Sequence, residues 1–311
     1  MKILFTFSIL LFPTLLFSQY NYGLDICGQD AKIEGKLNLN SGNGNVFIGN
    51  KAGINNMMGF QNSFFGIFSG QSNTTGVINS FFGAYSGASN TTGGGNSFFG
   101  SFNGRSNTTG SQNSFFGSVA GTSNTTGSKN CFFGRESGLS NTAGNDNSFY
   151  GSFSGISNTT GIGSNFFGFR AGQSNTTGNY NSFIGTNSGK NNTAGSHNIA
   201  IGVGAGPSSN NPDLSNRLYI DVNTTFPFGN DNPLIYGEFD NELIRINGTF
   251  DVTGTATVKD TTTLENILQL KPLDTSMITP STVCNSGQVF YGDDDQFYVC
   301  KAGSWRQIVT N

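Results

Sequence analysis

A glycine returns every 17 residues through half of this chain: Gly49, Gly66, Gly83, Gly100, Gly117, Gly134, Gly151, Gly168, Gly185 and Gly202. No residue is inserted or lost between them. One copy reads Asn96-Ser-Phe-Phe-Gly-Ser-Phe-Asn-Gly-Arg-Ser-Asn-Thr-Thr-Gly-Ser-Gln112. A period this strict makes each copy one structural unit that buries its apolar face only by stacking on the next. Three glycine corners per copy leave room only for strands of about three to five residues, and no helical window escapes glycine. The expected fold is all-β: a parallel β-solenoid (β-roll) of ten 17-residue coils, with like residues about 4.8 Å apart along the axis.

Comparison of the copies within the chain assigns directions. The residue before each anchor glycine is always large and apolar, from Ile48 through Phe65, Phe82 and Tyr150 to Ile201. The residue before that is Phe in nine copies and Ala200 in the last. Three after the anchor comes only Ala, Ser or Asn, and two after it the residue varies freely, which points to solvent. Seven after it, Asn56, Asn73, Asn90, Asn107, Asn124, Asn141, Asn158, Asn175 and Asn192 form a structural ladder, because stacked amides hydrogen-bond from coil to coil. The Thr that follows either ladders inside or lines a face. Asn-Thr-Thr is also a formal glycosylation triplet.

Adjacent strand residues point to opposite faces, so one Phe of each pair fills the coil and the other lies outside. Burying one Phe is worth about 1.5–3 kcal/mol, and nine outward rings exceed the apolar patch a monomer tolerates. Phe47, Phe64, Phe81, Phe98, Phe115, Phe132, Phe149, Phe166 and Phe183 are accordingly read as an oligomer interface. The alternative is a wide coil that takes both rings inside by twisting at the glycine.

The motif Asn-Ser-Phe-Phe-Gly-x-x-Ser-Gly resembles the Asn-Ser-x-Ala-Ile-Gly-x-x-Ala repeat of trimeric autotransporter adhesin heads (the YadA-like head repeat). It is also similar to repeats of bacterial surface and tail-fibre-like proteins. The copies nearest the family pattern are Asn45-Val-Phe-Ile-Gly49 and Asn198-Ile-Ala-Ile-Gly202, and the resemblance covers about residues 45–206. It implies a left-handed β-roll, three chains around one axis, and binding of host or matrix ligands. Two features depart from the family: a longer period, and Phe in place of the small Ala.

The flanks complete the organisation. Lys2 and the apolar run Ile3–Phe17 read as a signal peptide over residues 1–18, which expects an exported, extracellular protein that spans no membrane once cut. Residues 19–45 hold Ile33-Glu-Gly-Lys-Leu-Asn-Leu, a candidate strand capping the first coil. The repeat head is bounded at 46–206, where Gly206-Pro207 stops pairing. Short alternating strands at 207–283 form a neck or stalk. Residues 284–311 form a hairpin module around Gly-Asp-Asp-Asp, with Cys284 and Cys300 placed to pair near its open end. Cys131 reads as a small buried residue; Cys27 is either free or pairs between chains.

The chain is 13% aromatic but only 11% charged, against about 25% charged in ordinary domains. Net charge is −3, which gives no pull towards nucleic acid. His197 is the only histidine, and no carboxylate pair, Cys/His dyad or metal cluster can be assembled in the repeats. The expectation is a protein without catalysis, cofactor or metal. It is expected to be a structural or adhesive rod with a protein or glycan surface ligand and a homotrimer as its assembly. The alternatives are an ice-binding rod with a flat Thr ladder, or a fibre-like protein with no ligand of its own.

Overall fold

The structure is a computed structural model. It describes residues 42–224, 229, 232–253, 289–291, 296–301 and 304–307. The chain divides into two units, Met1–Thr249 and Phe250–Asn311.

In the first unit, ten three-residue strands repeat at the 17-residue interval: β1 (Val46–Ile48), β2 (Ser63–Phe65), β3 (Ser80–Phe82), β4 (Ser97–Phe99), β5 (Ser114–Phe116), β6 (Cys131–Phe133), β7 (Ser148–Tyr150), β8 (Asn165–Phe167), β9 (Ser182–Ile184) and β10 (Ile199–Ile201). Each pairs in parallel with the next at constant register, Phe64 opposite Phe81 and Phe65 opposite Phe82. This is the parallel β-solenoid that the period predicts, and the described residues contain no helix.

The first Phe of each pair lies inside. Phe64, Phe81, Phe98, Phe115, Phe132, Phe149, Phe166 and Phe183 are 0% exposed, and Phe47, half-buried in the first coil, stacks on Phe64 at 4.9 Å. The reading of this series as an oligomer interface is therefore overturned. Its rings stack face to face at 4.6–5.0 Å along the axis and fill the coil. The reason is local. Gly70, four residues after the anchor at φ +55°, sits against the Phe64 ring where any Cβ would overlap it, so the glycine opens the space the ring occupies. The anchor Gly66 has φ +135°, and a Cβ there would stand 2.5 Å from the Gly83 carbonyl of the next coil.

The sheet does not end at Gly206. β11 (Arg217–Ile220) pairs in parallel with β10, Ala200 opposite Tyr219, after a 19-residue interval. Tyr219, 2% exposed, closes the Phe column. β12 (Ile235–Glu238) and β13 (Leu243–Ile246) then add antiparallel, so the 13-stranded sheet finishes on a hairpin. The boundary read at 206 marks the end of regular spacing, and Leu218-Tyr-Ile, expected as the first stalk strand, is an eleventh rung.

In the second unit, β14 (Val289–Tyr291) and β15 (Phe297–Lys301) form the expected antiparallel hairpin, and β16 (Ser304–Gln307) adds a third strand. Cys300 is buried in β15. Cys284, Cys27, the 1–18 leader, the 33–39 strand and the Asp293–Asp295 turn lie outside the described residues.

Candidate functional surfaces of the rod

The interior is a hydrogen-bonded frame, and it determines what remains for the outside. In the expected Asn ladder each Nδ2 from Asn73 onward donates twice: Asn124 to Asn107 Oδ1 of the preceding coil at 2.7 Å and to the Gly127 carbonyl at 2.9 Å. The same pair of bonds recurs from Asn73 to Asn192. These residues are wholly buried with both amide hydrogens in use, so the Asn-Thr-Thr triplets have no amide free for a glycan in the folded coil.

A second ladder escaped the sequence reading. Asn62, Asn79, Asn96, Asn113, Asn130, Asn147, Asn181 and Asn198, each standing one residue before its strand, are also buried. Asn79 Oδ1 accepts the Asn96 backbone N–H at 2.9 Å, and its Nδ2 reaches across the coil to the Gly93 carbonyl at 2.9 Å. Its signal was available as a constant Asn at a fixed place in the period. Read as the first residue of the short strand, it was given no ladder of its own. Ser164 is the one gap; its Oγ accepts the Asn181 N–H at 3.2 Å but makes no bond across the coil to Gly178.

Three files face outward. In the strand file, the second aromatic of each pair stacks continuously from Phe65 through Phe82, Phe99, Phe116, Phe133 and Tyr150 to Phe167 at 4.5–5.1 Å. Neighbours cover the ring faces and the edges stay open, with Phe99 36% and Phe167 41% exposed. Ile48 and Ile184 bracket the file at 46% and 48%. Cys131, half-buried and free, lies beside it, its Sγ 3.1 Å from the Tyr150 hydroxyl. That hydrogen bond, with burial second, pushes the Tyr150 phenol above its ordinary pKa.

The corner file occupies the positions just after the anchor glycine. Lys51, Phe68, Tyr85, Phe102, Val119, Glu136, Phe153, Arg170 and Asn187 all have φ between 56° and 66°, the left-handed region that side chains rarely adopt. Free variation there reflects outward direction at a strained backbone site; of the nine, Asn187 alone is buried. Phe68, Tyr85 and Phe102 stack at 4.9 and 5.1 Å. Arg105 lies against Tyr85 and Phe102, and Arg135 and Arg170 against Phe153, with guanidinium carbons 5.4–5.7 Å from the ring centroids.

The threonine file is thinner than Asn-Thr-Thr suggests. The first Thr spends its hydroxyl on the next coil, Thr74 Oγ1 to the Thr91 carbonyl at 3.1 Å and so on to Thr176. Only the second Thr is exposed, and Ala143 and Ala194 interrupt that file. His197 is exposed and stacks on Tyr180 at 5.3 Å. Among the described residues no three His, Cys, Asp or Glu side chains group as metal ligands, and no helix is long and apolar enough to cross a membrane. In comparison with known proteins, the chain matches no family model, no curated protein and no solved structure.

Proposed function

We propose that this chain is an exported, non-catalytic adhesive rod, comparable in design to the trimeric adhesin heads its repeat resembles. The observation that supports it most is the unbroken outward aromatic file, Phe65 to Phe167, on a frame whose interior is fully committed to holding shape. Seven stacked rings with open edges form an apolar stripe along about 30 Å of rod, which favours a partner surface. In this reading the stripe is the contact between three copies, in place of the inner Phe series. The leader at 1–18 delivers the chain, and Cys284 pairs with Cys300 after export; a mass shift on reduction tests that pairing.

Light scattering on size-exclusion fractions of the chain from Gln19 tests the assembly. A trimer is expected, converted to monomer by Phe82→Ser with Phe116→Ser at unchanged far-UV circular dichroism. A monomeric parent protein would refute the trimer. Beads coated with the protein should adhere to cell surfaces or matrix; inert beads would refute the adhesive role. The ice-binding alternative is disfavoured by the committed hydroxyls of the Thr74-to-Thr176 file and by the breaks at Ala143 and Ala194.

A further inference from the structure

Charge is scarce on the rod and is not scattered. Six basic residues lie between Val46 and Gly206: Lys51, Arg105, Lys129, Arg135, Arg170 and Lys190. All but Lys129 fall one, two or five places after an anchor glycine, on the corner file and its flank. The acidic residues of this span are Glu136 and Asp146, and only Glu136 shares that face. The rod therefore carries a positive stripe although the whole chain is net −3.

From this stripe we infer the ligand class: a linear, carboxylate-bearing polysaccharide that docks along the corner face. The inference rests on the adhesive reading above and names its ligand. The guanidiniums are held in place before any ligand arrives. Arg105 lies 5.5 and 5.6 Å from the Tyr85 and Phe102 centroids, and Arg170 lies 4.9 Å from that of Phe169. Pinning against rings removes rotamer freedom that binding would otherwise have to freeze. Arginine's planar fork matches a carboxylate, and one of these arginines already holds one: Arg135 meets Glu136 at 2.7 Å, with the Arg135 side chain 65% exposed.

The rest of the face suits hydroxyl-rich sugars. Ser101, Ser118, Thr122 and Gln173 interleave with the cations. A single-stranded nucleic acid is the rival polyanion. It needs open ring faces for its bases, and here Phe68, Tyr85 and Phe102 cover one another's faces.

The test is titration of the full chain with polygalacturonate, with neutral amylose and oligo(dT) as parallel arms. Binding of polygalacturonate alone is expected. It should weaken with added salt, and at least tenfold in the triple variant Arg105→Gln/Arg135→Gln/Arg170→Gln. Lys129→Gln, off the face, should leave it unchanged. Equal binding of amylose, tighter binding of oligo(dT), or an unaffected triple variant that keeps the parent circular dichroism would each overturn the inference. If polygalacturonate fails while coated beads still adhere, the ligand class is wrong and the adhesive role stands; if both fail, both are refuted.

Discussion

Replacing Asn124 by alanine at the middle of the rod should show how much the amide ladder contributes to cohesion. Asn124 donates to Asn107 Oδ1 at 2.7 Å and to Gly127 O at 2.9 Å, and accepts from Asn141 Nδ2 at 2.7 Å. Gly127 O keeps a second donor, Asn113 Nδ2 at 2.8 Å, so it is not orphaned. Asn107 Oδ1 and one N–H of Asn141 are. Each buried orphan costs about 1–3 kcal/mol, so the variant should lose roughly 2–6 kcal/mol. With a urea slope of about 3 kcal/mol/M, the midpoint should fall by roughly 1–2 M. The exposed Thr126→Ala is the control, expected within about 0.5 kcal/mol. Asn124→Asp supplies a second readout. A carboxylate there would face the Asn107 and Gly127 oxygens, both acceptors, so folding raises its pKa. The penalty is then absent below the unfolded pKa and complete above the folded one, and stability should recover as pH falls. The measurement is urea unfolding followed by circular dichroism. An Asn124→Ala midpoint no lower than that of Thr126→Ala would refute the ladder as the source of cohesion.

Three further outcomes are expected. Ser164→Asn should restore the missing clasp to the Gly178 carbonyl, by analogy with Asn147 to Gly161 at 2.8 Å, and raise stability by about 1 kcal/mol in the same unfolding assay. Val119→Gly should also stabilise, by about 1 kcal/mol, because a β-branched residue is held at φ 66° where glycine is at ease; a lower urea midpoint would count against that account. Cys131→Ala should lower the tyrosinate titration midpoint of Tyr150, read by ultraviolet absorbance, because the Cys131 hydrogen bond is the main cause of its rise. That bond's stabilisation is complete below the unfolded pKa of the phenol and is lost as pH rises through the folded one.

The coil was legible because its constraints repeat. Ten glycines in register, and a small residue three places on, leave one way to stack. The sequence also shows that one Phe of each pair must face out, but not which one. Alternation along a strand fixes that the two differ, and the choice depends on the space above Gly70 and its equivalents, a tertiary fact. The Asn62 series is constant in the sequence, but its bond across the coil to a carbonyl 14 places away is again a tertiary fact. Tyr219 was missed because a 19-residue interval breaks the rhythm while the register continues. Cation placement on the corner file could be read from position, but its contact with rings could not, because it depends on side chains meeting from neighbouring coils.

Because each coil bonds only to the coil above and below, the rod is a series of identical links under tension. Pulled from its two ends, it would not shear as one block. It would peel, each link releasing 17 residues, about 55 Å of extended chain from about 5 Å of stacked height. An attachment built this way lengthens more than tenfold under load while the links still folded keep their surface intact, so it absorbs a pull before it lets go.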